Sequence, residues 1–158
     1  MSMQQIIEIV RGFEGVLILQ PQPGDGTPDV AWGDAFFYYS PGGGTPEHTQ
    51  PYATIVTKDY PDDAASDLGA PDRWRVNIHV DRATFRESTG EDPRRLTSVH
   101  DFAAADVINP HPVYGALGWI CVVVPAERTM EQVVALLRQA HDAARSRATR
   151  RAEVGGPT

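Results

Sequence analysis

The stretch WRVNIHV, residues 74–80, alternates strictly: Trp74, Val76, Ile78 and Val80 are apolar, while Arg75, Asn77 and His79 are polar. Successive side chains of an extended strand point to opposite faces, so this period of two predicts a strand with one face for a core. Asp81 follows at once and can cap a short helix running through Ala83, Phe85 and Arg86 to Ser88, with Gly90 as its terminator. A strand feeding a capped helix is the unit around which the rest is read.

Upstream, Ile6, Ile7 and Val10 recur at helical spacing between Met3 and Arg11, and Gly12 and Gly15 separate that helix from an apolar strand at 16–20. After the loop PQPGDGTPD, residues 32–39 and 52–58 read as an antiparallel hairpin whose long tip is PGGGTPEHTQP. An acidic connector, Asp59 to Asp72, then leads to residue 74. Downstream, residues 118–124 form another strand closed by Pro125. From Glu127 to about Arg147 the chain reads as a long helix with Met130, Val133, Val134, Leu137, Ala140 and Ala144 on one face.

Hairpin-type connections early in the chain favour an α+β fold: an antiparallel sheet of about five strands with helices packed mainly on one face and the other side open. A single domain is expected over residues 1–150, followed by a disordered C-terminal tail at 151–158, where an Arg-rich helix gives way to GGPT.

Of the 158 residues, 41% are hydrophobic and 22% charged, a globular composition with enough chain for one core. A formal charge of -7 disfavours nucleic acid, because attraction to phosphates would need a local basic patch working against the overall field. The longest apolar run, Trp119 to Val124, is too short to span a bilayer, and MSMQQIIEIVRGF lacks a basic region followed by a long apolar stretch. No membrane anchoring or export is expected. The single cysteine, Cys121, cannot form an internal disulfide, and a reducing cytoplasm is the simplest setting.

ATIVTKD, WRVNIHV with DRATF, HDF, INPHPVYG and GWICVVVPAERTMEQV occur in an order that resembles an uncharacterised bacterial family built on a domain of unknown function. The resemblance covers about Gly15 to Arg145. The opening helix, the strand entering the TF helix, and the closing strand and helix are also similar, more distantly, to the MmcQ/YjbR family, small α+β proteins compared in shape with double-wing DNA-binding folds. That likeness implies an architecture and carries no activity, since shared folds host unrelated functions. Position 79 departs from the nearer family, where a glycine is usual, so His79 is either a specialisation or an incidental substitution.

Arg75, Asn77 and His79 span about 13 Å at ~3.3 Å per residue and offer a fixed cation, an amide and a titratable imidazole on one face. Such a row can hold a carboxylate or phosphate on Arg75, orient it with Asn77 and exchange a proton at His79; the competing reading is a solvated strand face. Tyr38, Thr54, Trp119 and Cys121 join that face if the strand registers cooperate, whereas a slip of one residue sends them to the core.

The loop from His100 to Trp119 adds His100, Asp101, Asp106, Asn109, His111 and Tyr114, but its spacing matches no standard zinc pattern and its prolines and glycine suit a rigid turn. No metal and no cofactor is expected. Cys121 reads as a buried thiol, PGGGTP as a hairpin tip, and Arg138, Arg145, Arg147, Arg150 and Arg151 as complements to a helix dipole. The leading expectation is a small-molecule-binding or accessory protein using Arg75, Asn77, His79, Tyr38, Thr54 and Trp119. One alternative is a cofactor-independent enzyme in which His79 or His111 performs acid/base work beside Asp106 or Tyr114. Another is a protein- or nucleic-acid-binding module, and an exposed sheet face could equally serve a homodimer.

Overall fold

The computed structural model describes residues 2–96 and 99–154. Helix α1 (Met3–Arg11) begins at Ser2, whose hydroxyl accepts from the Gln5 amide while its own amide donates to Gln5 Oε1, a reciprocal cap that satisfies two otherwise orphaned donors. Strands β1 (Val16–Leu19), β2 (Ala35–Tyr39), β3 (Ala53–Val56) and β4 (Arg75–His79) follow. Asp81 caps α2 (Arg82–Thr89) through the Thr84 amide, and Gly90 ends it in the left-handed conformation. Then come β5 (Ile108–Pro110), β6 (Trp119–Val123) and α3 (Met130–Val154).

The sheet runs β1-β2-β3-β4-β6-β5 and is antiparallel at every junction. Among the described residues it has six strands where the sequence suggests about five. The additional strand, β5, is three residues long and includes Pro110; it lies at the sheet edge, where a proline's missing N–H is tolerated. A strand so short leaves no periodicity to read. The helix α3 continues through residue 154, so residues 151–154 of the expected tail are helical, and 155–158 lie outside the described residues.

Trp74, Val76, Ile78 and Val80 all enter one core with Phe37, Ile55, Ile120 and Val122 from neighbouring strands. Helices α1, α2 and α3 close over that face: Ile6, Ile7 and Val10 from α1, Phe85 from α2, and Val133, Leu137 and Ala140 from α3. Each fully buried isoleucine or phenylalanine contributes about 1.5–3 kcal/mol by leaving water. At the entry to β6, Gly118 adopts φ 91°, and a Cβ there would stand 3.0 Å from the Val80 carbonyl oxygen, so a glycine is required.

The opposite face is not open along its whole length. The acidic connector folds back over it, and Leu68 packs with Val56 and Val123 in a second small cluster. Arg73 holds the two covering loops together, donating from Nη2 to the carbonyls of Ser66 and Ala103 and from Nε to that of Asp67. Among the described residues no helix is long and apolar enough to cross a membrane.

Candidate functional site

Register decides which side chains meet on the second face. Thr54 pairs with Asn77, Asn77 with Cys121 and His79 with Trp119, so Arg75, Asn77, His79, Thr54, Trp119 and Cys121 share it. Tyr38 shares it too, paired with Leu17 toward the β1 edge, but Phe36 rather than Tyr38 reaches the cavity described below. The row is not a solvated strand face. Arg75 is 1% exposed and Asn77 4%, because the loops described above cover them.

A buried guanidinium must find acceptors for its protons, and Arg75 finds most of them locally. Nε donates to Asn77 Oδ1 at 2.7 Å, Nη1 to Asp63 Oδ1 at 3.0 Å and to Ser66 Oγ at 2.9 Å, and Nη2 to Asp63 Oδ2. Asn77 in turn donates to Thr54 Oγ1 at 2.9 Å. Burial works to raise the Asp63 pKa, but the hydrogen bonds and charge of Arg75 outweigh it, aided by His111, and hold the carboxyl below its ordinary value.

His111 closes this network from the loop after β5. Its Nδ1 accepts from the backbone amides of Val113 at 3.1 Å and Tyr114 at 3.0 Å, which ties the turn to the ring. An acceptor at Nδ1 places the proton of the neutral ring on Nε2. That Nε2 lies 3.1 Å from Arg75 Nη2 and 3.6 Å from Asp63 Oδ2. Two N–H donors therefore converge beside one oxygen, Asp63 Oδ2, which accepts from Arg75 and lies beyond hydrogen-bond distance of the His111 ring. Burial first, and the Arg75 charge second, lower the His111 pKa to about 4 against the opposing pull of Asp63, so the ring is neutral at neutral pH.

Above this network lies a cavity of ≈ 350 Å³, whose floor is Thr54, Arg75 and Asn77 and whose walls include Phe36, Tyr60, Tyr114 and Trp119. Tyr60 is held by Asp34, a fully buried carboxylate that also accepts from the Thr57 amide, the Thr57 hydroxyl and Lys58 Nζ. Burial, then the Asp34 hydrogen bond and charge, push the Tyr60 pKa upward, so its hydroxyl stays a donor. Each buried charge thus has an opposite partner: Arg75 with Asp63, and Lys58 with Asp34.

Other sequence candidates fall elsewhere. His79 lies beyond the cavity, donating from Nε2 to the Leu117 carbonyl at 3.2 Å and resting 5.4 Å from the Trp119 ring; burial lowers its pKa. Tyr114 stands at the cavity wall with its ring 5.0 Å from that of His111. Cys121 is buried, which raises its thiol pKa to about 12 and leaves it without nucleophilic character. His100 sits against Glu91 and Phe102, and Asn109 donates to the Asp101 carbonyl.

Asp106 is not an acid/base partner of either histidine. Its carboxylate accepts from the amides of Ala126, Arg128 and Thr129 and from the Thr129 hydroxyl, capping the start of α3 from twenty or more residues upstream. Burial opposes ionisation there, but these four donors prevail and the Asp106 pKa is lowered. Asp106→Ala is expected to cost about 1–2 kcal/mol in a urea titration, with no change in any ligand affinity at the cavity. A loss under about 0.3 kcal/mol would show that α3 needs no such cap.

Sequence reasoning missed Asp63, Ser66, Tyr60 and Asp34. One signal was available: an arginine on the inward-alternating strand of a covered sheet needs a carboxylate, and the acidic run immediately upstream is the nearest supply. Among the described residues no group of three or more His, Cys, Asp or Glu side chains is placed to hold a metal ion. The family model DUF6194, described as a family of unknown function, matches residues 1–153. No curated protein and no solved structure matches the chain.

Proposed function

The chain belongs to the DUF6194 family, whose description assigns no activity, and from that premise we propose that it binds a small molecule in the cavity above β4. The observation that carries this reading is the Nε2–H of buried His111 at the cavity wall, 3.1 Å from Arg75 Nη2 and 3.6 Å from Asp63 Oδ2, an oxygen that already accepts from Arg75. A buried donor lacking an acceptor is costly, and a ligand carbonyl, ether or ring nitrogen placed against His111 Nε2–H would satisfy it. The aromatic walls suit a flat or apolar ligand body. The Arg75–Asp63 pair in its lining is neutral as a unit, which favours an uncharged group at that end. This reading keeps the protein in the bacterial cytoplasm with an architecture of the MmcQ/YjbR type, and it uses burial and hydrogen bonding alone.

A thermal-shift screen of small carbonyl-bearing aromatics tests it. A specific ligand at a hundred times its Kd stabilises the fold by about 2.7 kcal/mol and raises Tm accordingly. Tyr114→Ala removes a wall ring that is 44% exposed, so it should leave the free protein's Tm nearly unchanged while weakening the hit several-fold. A library without hits, or hits that stabilise wild type and Tyr114→Ala equally, would sink the proposal.

A further inference from the structure

A second depression of ≈ 240 Å³ adjoins the cavity, sharing Gln50, Pro51 and Trp119 with it, and is otherwise marked by His48, His79, Arg147 and Arg151. Among the described residues no Asp or Glu lines it, in a chain whose formal charge is -7. Among the described residues the arginine of α3 with a carboxylate partner is Arg145, 3.7 Å from Glu14, whereas half-buried Arg147 has none. The helix dipole does not account for Arg147: α3 runs to Val154, about two turns further, and the dipole's influence is confined to the last turn. Burial lowers the Arg147 pKa, and the nearby charges of Arg151 and Arg150 lower it further.

We propose that this depression is an anion subsite for a phosphate or carboxylate group, and that the anion belongs to the same molecule whose body fills the larger cavity. The inference rests on the cavity reading for the second clause only. Arg75 and His79 are four residues apart on one strand, so the two polar ends lie about 13 Å from each other, with Trp119 beside the path between them. The class of ligand is therefore an elongated organic anion: a hydrogen-bond acceptor at one end, an aromatic or apolar middle, and a phosphate or carboxylate at the other. Arginine suits either anion through its fork of donors, and His79 adds a ring that gains a proton most readily beside an anion.

Inorganic phosphate, acetate, phenyl phosphate and phenol, each titrated into the full chain and followed by NMR at the His79 ring, the Arg147 side chain and the Trp119 indole, separate the claims. Saturable shifts with phosphate or acetate, weakened at least five-fold in Arg147→Gln, are expected, and the stronger of the two identifies the anion. Phenyl phosphate should bind at least ten-fold more tightly than inorganic phosphate, because its ring reaches Trp119. The absence of saturable shifts with both inorganic phosphate and acetate, or shifts unchanged in Arg147→Gln, overturns the subsite whatever the cavity does. Equal affinity for phosphate and phenyl phosphate overturns the shared ligand. Phenol failing to perturb Phe36 and Tyr114, with phosphate still bound, counts against the cavity reading and leaves the subsite standing.

Discussion

Arg75→Ala is expected to destabilise the protein by about 3–5 kcal/mol in urea titrations, the largest effect of any single substitution on the second face of the sheet. The guanidinium is 1% exposed and donates to Asn77, Ser66 and both oxygens of Asp63, so its removal strips four hydrogen bonds and leaves a carboxylate without its counter-charge. Most of the cost lies in that stranded carboxylate and little in the attraction itself, because taking both charges out of water offsets much of what their pairing returns. The double variant Arg75→Met with Asp63→Leu should therefore recover a large part of the loss, since no uncompensated charge remains. That variant should fold and yet bind any ligand found by thermal shift more weakly, because the Arg75 donors at the cavity wall are gone while His111 Nε2–H remains. A loss below about 1 kcal/mol for Arg75→Ala would mean that water reaches the pair and screens it, which is the behaviour of an exposed ion pair.

The parts of the fold that could be read from the sequence are those governed by local rules. WRVNIHV sorts its residues between faces by alternation alone, and Trp74, Val76, Ile78 and Val80 are all in the core. Asp81 and Gly90 mark the ends of α2 because capping is decided within a few residues. The shared face of Thr54, Asn77 and Trp119 depended on register, which hairpin loops of uncertain length do not specify, yet the three strands align as the apolar pattern demands. The cover over Arg75 was not legible. Asp63, Ser66 and Arg73 belong to a segment with turn composition and no period, and their side-chain partners lie six to thirty residues away in sequence. Asp106 failed as a catalytic candidate for the same reason: its role depends on α3, whose first turn comes more than twenty residues later. Polarity singles out Asp106 but not Asp63, Ser66 or Arg73, and for all four only tertiary contacts say what they do.

His111 supplies the second large effect, as a dependence of stability on pH. Its folded pKa is lowered to about 4 from an ordinary 6.5, by burial first and by Arg75 second, so between those values the unfolded chain holds a proton that the folded chain does not. Stability contributed this way is complete above pH 6.5 and falls, by on the order of 3 kcal/mol, as pH drops to about 4. Below that, Asp63 takes over with the same sign, since its depressed pKa gives stability present above 3.8 and lost as pH falls through the folded value. His79 tilts the profile in the same direction, so the diagnostic quantity is the difference between wild type and His111→Asn, measured by urea titration at successive pH values. Asparagine is chosen because its side-chain oxygen can still accept from the amides two and three residues ahead, keeping the turn while removing the titrating ring. The difference should shrink as pH falls from 6.5 toward 4; a constant difference would show that the ring exchanges protons as freely as in the unfolded chain. The structural reason it should not do so is local: a proton on Nδ1 would face the amides of Val113 and Tyr114, three donors at one point, and the turn that forms the cavity wall would have to open. Ligand affinity at the cavity should then decline over the same pH interval as stability, because both depend on that wall remaining closed.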